Sequence, residues 1–236
     1  MAPERVGVMV FDLDGVLVDV RASFRVAIER TVAALGGGAV RTREIQTLKN
    51  AGGYNNEWDV TRELLRQRGL AVERARVIEV FNGFYLGGAG GGGGLILQER
   101  WLLPPALLLL LRRRYRLAIF TGRPAADASF TLRHFGVEHA FETVLGLEHT
   151  AHKPDPDGLE RLRRKHAPVP LLAYFGDTVD DARCAAAAGV PFHGIVDRRG
   201  RHGRELADWF QKLGCLGMAA SIAQALRPLL APRRTD

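Results

Sequence analysis

The sequence predicts an α/β fold, a doubly wound, Rossmann-like parallel sheet core with an inserted α-helical cap domain. Three observations carry this. Short apolar runs each end in a polar turn and lead into a helical period, the alternation of a parallel sheet buried on both faces. A long stretch after the first run holds helical periods and no convincing strand. A glycine run, Gly87–Gly94, then precedes the return of the alternating pattern.

Taken in order, Val6–Phe11 reads as the first strand. Helical patterns follow around residues 21–35, 42–49, 56–68 and 72–86, with Asn56 and Asp59 spaced as a helix N-cap and its partner. Seven of the eight residues from Gly87 to Gly94 are glycine, a composition that behaves as a flexible connector. The GxGxxG inside it, Gly88–Gly93, is not read as a dinucleotide site, because a glycine tract matches that pattern trivially and no strand precedes it. Pro104 and Pro105 start a helix in which Leu107–Leu111 is expected to form a buried face. Residues 116–120 and 171–175 read as two further core strands. Helices follow them at Pro124–Phe135, closing at Gly136, and at Thr178–Ala188, closing at Gly189. The expected division is an α/β core of residues 1–15 and 100–236, a helical cap of 16–86 and a Gly-rich linker of 87–99.

The composition excludes several classes. Of 236 residues 47% are apolar and 25% charged, which rules out disorder, collagen and coiled coil. The run at Val6–Phe11 is broken by Asp12, too soon for a membrane span or signal-peptide core, so a cytoplasmic protein with no membrane partner is expected. The net charge of +7 comes from scattered, Arg-dominated groups without interleaved aromatics, which speaks against a nucleic-acid partner. Two distant cysteines, Cys184 and Cys215, have no metal-ligand spacing and read as buried small hydrophobes.

The chemistry lies at the strand ends. The first run delivers Asp12 and Asp14, the second Thr121 and Gly122, and the later one Gly176 and Asp177, with Asp180 and Asp181 a turn on. Carboxyl ends of parallel strands line one crevice, so these groups converge despite their separation. Crowded carboxylates raise each other's pKa unless a cation sits among them. With oxygen donors and no histidine or thiolate set, that cation is expected to be Mg²⁺. Lys153, after the short apolar stretch Thr143–Leu147, is placed to add fixed positive charge for an anionic substrate.

The segments Asp12-Leu-Asp-Gly-Val-Leu-Val-Asp19, Thr121-Gly-Arg123, Lys153-Pro-Asp-Pro and Gly176-Asp-Thr-Val-Asp-Asp181 resemble, in order, the four motifs of the haloacid dehalogenase superfamily. The closest resemblance is to its phosphatase-like subfamily with a helical cap, such as the phosphoglycolate phosphatases. That resemblance implies that Asp12 is the nucleophile and that Asp14 is the general acid and base. Asp12, the Asp14 carbonyl and Asp177 would hold Mg²⁺, with Asp181 a ligand through water or a partner of Lys153. Thr121 and the Gly122 amide would grip phosphate oxygens. Arg123 is expected to contact substrate, the alternative being a salt bridge at the cap interface, and the cap loop after Lys49 to read the leaving group through Lys49, Asn50 or Asn55.

The resulting expectation is a Mg²⁺-dependent phosphohydrolase of a small phosphorylated metabolite, working as a monomer or homodimer. Resemblance suggests 2-phosphoglycolate, a sugar phosphate or histidinol phosphate as substrate. The alternatives are a phosphomutase of the same superfamily and a non-catalytic binder of phosphorylated ligands. An acid at Asp14 argues against carbon–halogen and phosphonate cleavage, whose enzymes in this superfamily lack one.

Overall fold

The computed structural model describes residues 5–54, 56–88 and 93–230. Its first elements are β1 (Val8–Phe11) and β2 (Val18–Asp19), then four helices, α1 (Phe24–Ala34), α2 (Thr42–Ala51), α3 (Glu57–Gln67) and α4 (Arg74–Tyr85). β3 (Arg100–Trp101), α5 (Pro105–Arg114), β4 (Arg116–Phe120), α6 (Ala125–His134) and β5 (Thr143–Leu145) come next. The remainder alternates as α7 (Asp157–His166), β6 (Leu171–Gly176), α8 (Val179–Ala188), β7 (Phe192–Ile195), α9 (Arg201–Lys212), β8 (Gly217–Ala219) and α10 (Ile222–Leu230). The chain forms two units, residues 1–18 with 101–236, and residues 19–100.

The first unit carries a six-stranded sheet in the order β5-β4-β1-β6-β7-β8, parallel throughout. All four residues of β1 are buried, because helices cover both faces and no position can be polar. Val8 and Val10 pack with Leu159 and Leu162 of α7 and with Val179 and Ala182 of α8. On the other face Phe11 stacks on Phe175 with ring centroids 5.0 Å apart. Each large side chain so buried contributes about 1.5–3 kcal/mol. α8 ends where expected, with Gly189 at φ 61° accepting the left-handed turn.

β7 and β8 are missing from the sequence reading for a physical reason. Phe-His-Gly-Ile and Gly-Met-Ala are short, and β8 is half-buried along its length, so neither shows the continuous apolar run that marks β1, β4 and β6. The leucine run of α5 departs from expectation too. Leu108 and Leu111 are buried, but Leu109 and Leu110 are exposed, since five consecutive leucines circle the helix and only one side meets the sheet. Cys184 is buried and Cys215 half-buried, and both are free thiols.

The second unit has its own core. Phe24, Ile28 and Val32 of α1 pack with Ile45 and Leu48 of α2, Val60, Leu64 and Leu65 of α3, and Val77, Phe81 and Tyr85 of α4. Asn56 caps α3, its side-chain oxygen accepting from the Asp59 N–H at 2.9 Å. The span read as linker is only partly one. Ile96 is buried in this core, and buried Glu99 accepts from Ser23 Oγ at 3.0 Å and Tyr85 Oη at 3.1 Å. At Gly94 a Cβ would come 2.3 Å from the Tyr85 carbonyl oxygen, so this glycine serves a close approach. Residues 89–92, the middle of the glycine run, lie outside the described residues. No helix among the described residues is long and apolar enough to cross a membrane.

Candidate active site

Chain order reverses between β1 and β6, which opens a crevice beyond the carboxyl ends of those two strands. Asp12 leaves β1 there, its N–H donating to the Phe175 carbonyl at 2.8 Å. Asp177 leaves β6 directly after Gly176, and Thr121 leaves β4, its N–H donating to the Leu145 carbonyl at 3.0 Å. Regular strand pairing thus brings together groups from three distant segments of the sequence.

Lys153 is at the centre. It sits inside a turn closed by the Asp155 N–H on the His152 carbonyl, 3.0 Å. Its ammonium, 2% exposed, donates to Asp12 Oδ1 at 3.0 Å and to Asp181 Oδ1 at 2.7 Å. It also lies 4.8 Å from the Phe120 ring centroid and 5.4 Å from that of Tyr174. Burial alone would depress its pKa, but Asp12 and then Asp181 more than offset this and hold it above its ordinary value.

The two carboxylates differ. Burial pushes Asp12 up to about 7, against the pull of Lys153. Asp181 feels the same burial, yet Lys153, Thr178 and Tyr174 hold it below the usual carboxylate range. Its Oδ1 accepts from Lys153 and from Tyr174 Oη at 2.5 Å, and its Oδ2 from Thr178 N at 3.0 Å and Oγ1 at 2.6 Å. Thr178 in turn caps α8 by accepting from the Asp181 N–H at 3.1 Å. Asp181 therefore completes the capping box of α8 and anchors the lysine.

Asp12, Asp177 and Asp181 can each offer an oxygen within 4.8 Å of the others. This all-oxygen, partly solvated set suits a hard divalent ion such as Mg²⁺. The backbone makes room for it at Gly15, φ 76°, where a Cβ would come 2.0 Å from Asp177 Oδ2. With both its oxygens engaged by protein donors, Asp181 fits better as the holder of Lys153 than as a direct ligand. Asp12 and Asp177 are then the carboxylates suited to hold the ion.

Asp14 sits two residues past Asp12 with its side chain 21% exposed, and its partner corrects an expectation. Arg123 was expected to meet substrate, yet its side chain is fully buried. Its Nε donates to Asp14 Oδ1 at 3.1 Å and Oδ2 at 3.3 Å, its Nη2 to Asp14 Oδ1, and its Nη1 to Thr131 Oγ1 at 2.7 Å. Thr121 Oγ1 accepts from the Arg123 N–H at 3.2 Å, which orients the hydroxyl, and Gly122 between them is half-buried.

Lys49 and Asn50, expected to read the leaving group, are bonded within the helical unit. Lys49 pairs with Glu57 at 2.7 Å, and buried Asn50 accepts from Gln46 Nε2 at 2.9 Å. Asn55 lies outside the described residues. Sequence reasoning did not single out Tyr174 or Thr131. The signal for Tyr174 was a polar-tipped aromatic in an otherwise apolar strand, which when buried needs a partner.

The family model for haloacid dehalogenase-like hydrolases matches residues 6–189. An imidazoleglycerol-phosphate dehydratase of Phytophthora nicotianae is 33% identical over 194 residues, 80% of this chain. The chain spans 43% of that relative's length. A phosphoglycolate phosphatase of Cereibacter sphaeroides is 27% identical over 186 residues, covering 78% of this chain and 82% of its own. Among solved structures, a predicted phosphoglycolate phosphatase of Haemophilus somnus superposes with a TM-score of 0.72 at 18% identity, over 96% of this chain and 99% of its own. A haloacid dehalogenase-like hydrolase of Streptococcus pneumoniae does so with 0.71 at 18% identity, over 95% and 98%. At such identities the structures speak for the fold. The family model covers most of the chain, and the chain belongs to the haloacid dehalogenase-like hydrolase family, with phosphoglycolate phosphatases among its relatives.

Proposed function

We propose that the chain hydrolyses a small-molecule phosphomonoester through an aspartyl-phosphate on Asp12, with Mg²⁺ as cofactor. The observation that carries this reading is the buried Lys153 ammonium shared by Asp12 and Asp181 beside Asp177. It places positive charge against the one carboxylate that must approach an anionic phosphoryl group.

An Asp12 carboxylate oxygen attacks phosphorus as the ester P–O bond breaks, and Asp14 gives its proton to the leaving alkoxide. Asp14 then takes a proton from water, whose oxygen attacks phosphorus. The Asp12–phosphorus bond breaks, releasing inorganic phosphate. Lys153, the Thr121 hydroxyl and the Gly122 amide stabilise charge on the phosphoryl oxygens throughout. Asp12, Asp177 and the Asp14 carbonyl would hold Mg²⁺, which when bound would supply electrostatic neutralisation of the phosphoryl group.

The names of the relatives suggest which esters to try first: 2-phosphoglycolate, and an imidazole-bearing alkyl phosphate such as histidinol phosphate, with sugar phosphates beside them. Phosphate release is measured with Mg²⁺ and with chelator, for wild type and Asp12→Asn. Turnover that needs Mg²⁺ and is abolished by the substitution supports the reading. No release from any ester, or release that survives Asp12→Asn, refutes it.

A further inference from the structure

We propose that Arg123 is a positioning residue for the acid–base carboxyl of Asp14 and makes no contact with substrate. The inference rests on the phosphatase reading above. A guanidinium with no exposed side-chain surface must find its hydrogen-bond partners inside the protein. Among them are Asp14, which its Nε and Nη2 face as a fork, and Thr131 Oγ1 of α6, to which Nη1 is tied at 2.7 Å. Two other carboxylates interact electrostatically in this neighbourhood. Half-buried Asp127 feels Arg123, Glu148 and Asp14, and Glu148 itself accepts from the Ala125 N–H at the start of α6, 3.1 Å to each oxygen.

Asp14 lies just past the end of its strand, where the Gly15 N–H donates to the Val18 carbonyl at 2.8 Å, and its carboxyl retains an exposed side. A carboxyl on such a turn samples several rotamers unless something fixes it. A planar fork bonded to α6 does so, as a flexible ammonium would not. The arrangement separates the two cations by task. Lys153 meets the carboxylate that attacks, and Arg123 aims the carboxyl that moves the proton.

An acid is needed in proportion to the basicity of its leaving group, and this sets the test. kcat/KM reports the step in which the ester bond breaks, so it is measured for an alkyl phosphate and for p-nitrophenyl phosphate, whose nitrophenolate leaves without help. Asp14→Asn provides the reference pattern. Arg123→Met should lower kcat/KM about 100-fold on the alkyl ester and about 3-fold or less on the aryl ester, within the range of general acid catalysis. Arg123→Lys should recover part of the alkyl activity. Thr131→Val, which leaves both charged partners in place, should show the same selectivity at smaller amplitude and covers the case in which Arg123→Met does not fold. Equal losses on both esters, or a raised KM with unchanged kcat, would overturn the positioning role in favour of a structural or substrate-binding one. A wild-type protein inert toward both esters would instead refute the phosphatase reading, and the role of Arg123 with it.

Discussion

Lys153 Nζ lies 3.0 Å from Asp12 Oδ1, although 141 residues separate the two in the chain. Both are buried, and the same ammonium reaches Asp181 at 2.7 Å. One buried cation thus faces two carboxylates. Burial pushes Asp12 up to about 7 against the pull of Lys153, with the nearby Asp181 charge adding to the rise, while Asp181, better supplied with donors, stays low.

The contribution of Asp12 to the stability of the metal-free protein should therefore fall as pH rises across a defined window. Unfolded Asp12 loses its proton near the ordinary value of 3.8, but folded Asp12 keeps it to about 7. Between those values the folded state binds the extra proton, so each step upward in pH favours unfolding, and the effect levels off above the folded value. Urea unfolding in chelator at pH 5 and pH 8 should show a smaller loss for Asp12→Asn than for wild type. Equal losses in the two proteins would count against the assignment.

Divalent-ion binding should strengthen over the same interval, because the proton on Asp12 competes with the metal. Below about pH 7 the apparent Mg²⁺ affinity should drop up to tenfold per pH unit, as for one proton displaced per ion. Calorimetric titration at pH 6 and pH 8 reads this directly. Weaker binding at the higher pH would contradict it.

Replacing Asp14 should cost stability as well as activity. Asp14→Asn removes the carboxylate charge bonded to the buried Arg123 guanidinium, and breaking such a pair from one side typically costs about 3 kcal/mol. The double variant Asp14→Leu with Arg123→Met should regain part of that loss. Denaturant midpoints of the three proteins decide the point, and an Asp14→Asn variant as stable as wild type would show that the pair is dispensable to the fold.

Gly15→Ala should disable the site with little damage elsewhere. Its backbone at φ 76° disfavours any side chain, and the new methyl group would meet Asp177 Oδ2 at 2.0 Å. The strain is expected to cost about 1–2 kcal/mol, with Mg²⁺ binding weakened at least tenfold as Asp177 is displaced. Unimpaired Mg²⁺ binding would mean that Asp177 does not contribute to the site.

Tyr174→Phe removes one donor from Asp181 and leaves the ring beside Lys153 in place. A buried hydrogen bond to a charged group is worth about 2 kcal/mol, and a loss of that size should appear in thermal or urea unfolding. An unchanged midpoint would show that Asp181 is held adequately by Lys153 and Thr178 alone.

The sheet's central strands, the helical insertion and the acidic strand ends were legible along the chain. Those signals are local: an apolar run buried on both faces, a helical period, and polar residues where a strand must stop. Gly189 was legible for the same reason, since a helix that closes on glycine needs only its own backbone to do so. β7 and β8 were not, because short strands near one edge of the sheet show little apolar continuity. Which partner each charged residue takes was decided only by tertiary structure. Arg123 follows Thr121-Gly122 and on sequence grounds faces a substrate; folding buries it against Asp14 and Thr131. Asp181 reads as a ligand through water or as a partner of Lys153, and the fold gives it Lys153 together with the donors of Thr178 and Tyr174. Lys49 reads as a contact for the leaving group, and in the fold its ammonium pairs with Glu57. A charged side chain takes the partner that best offsets its desolvation, and that choice depends on distances across strands and helices that no spacing along the chain contains.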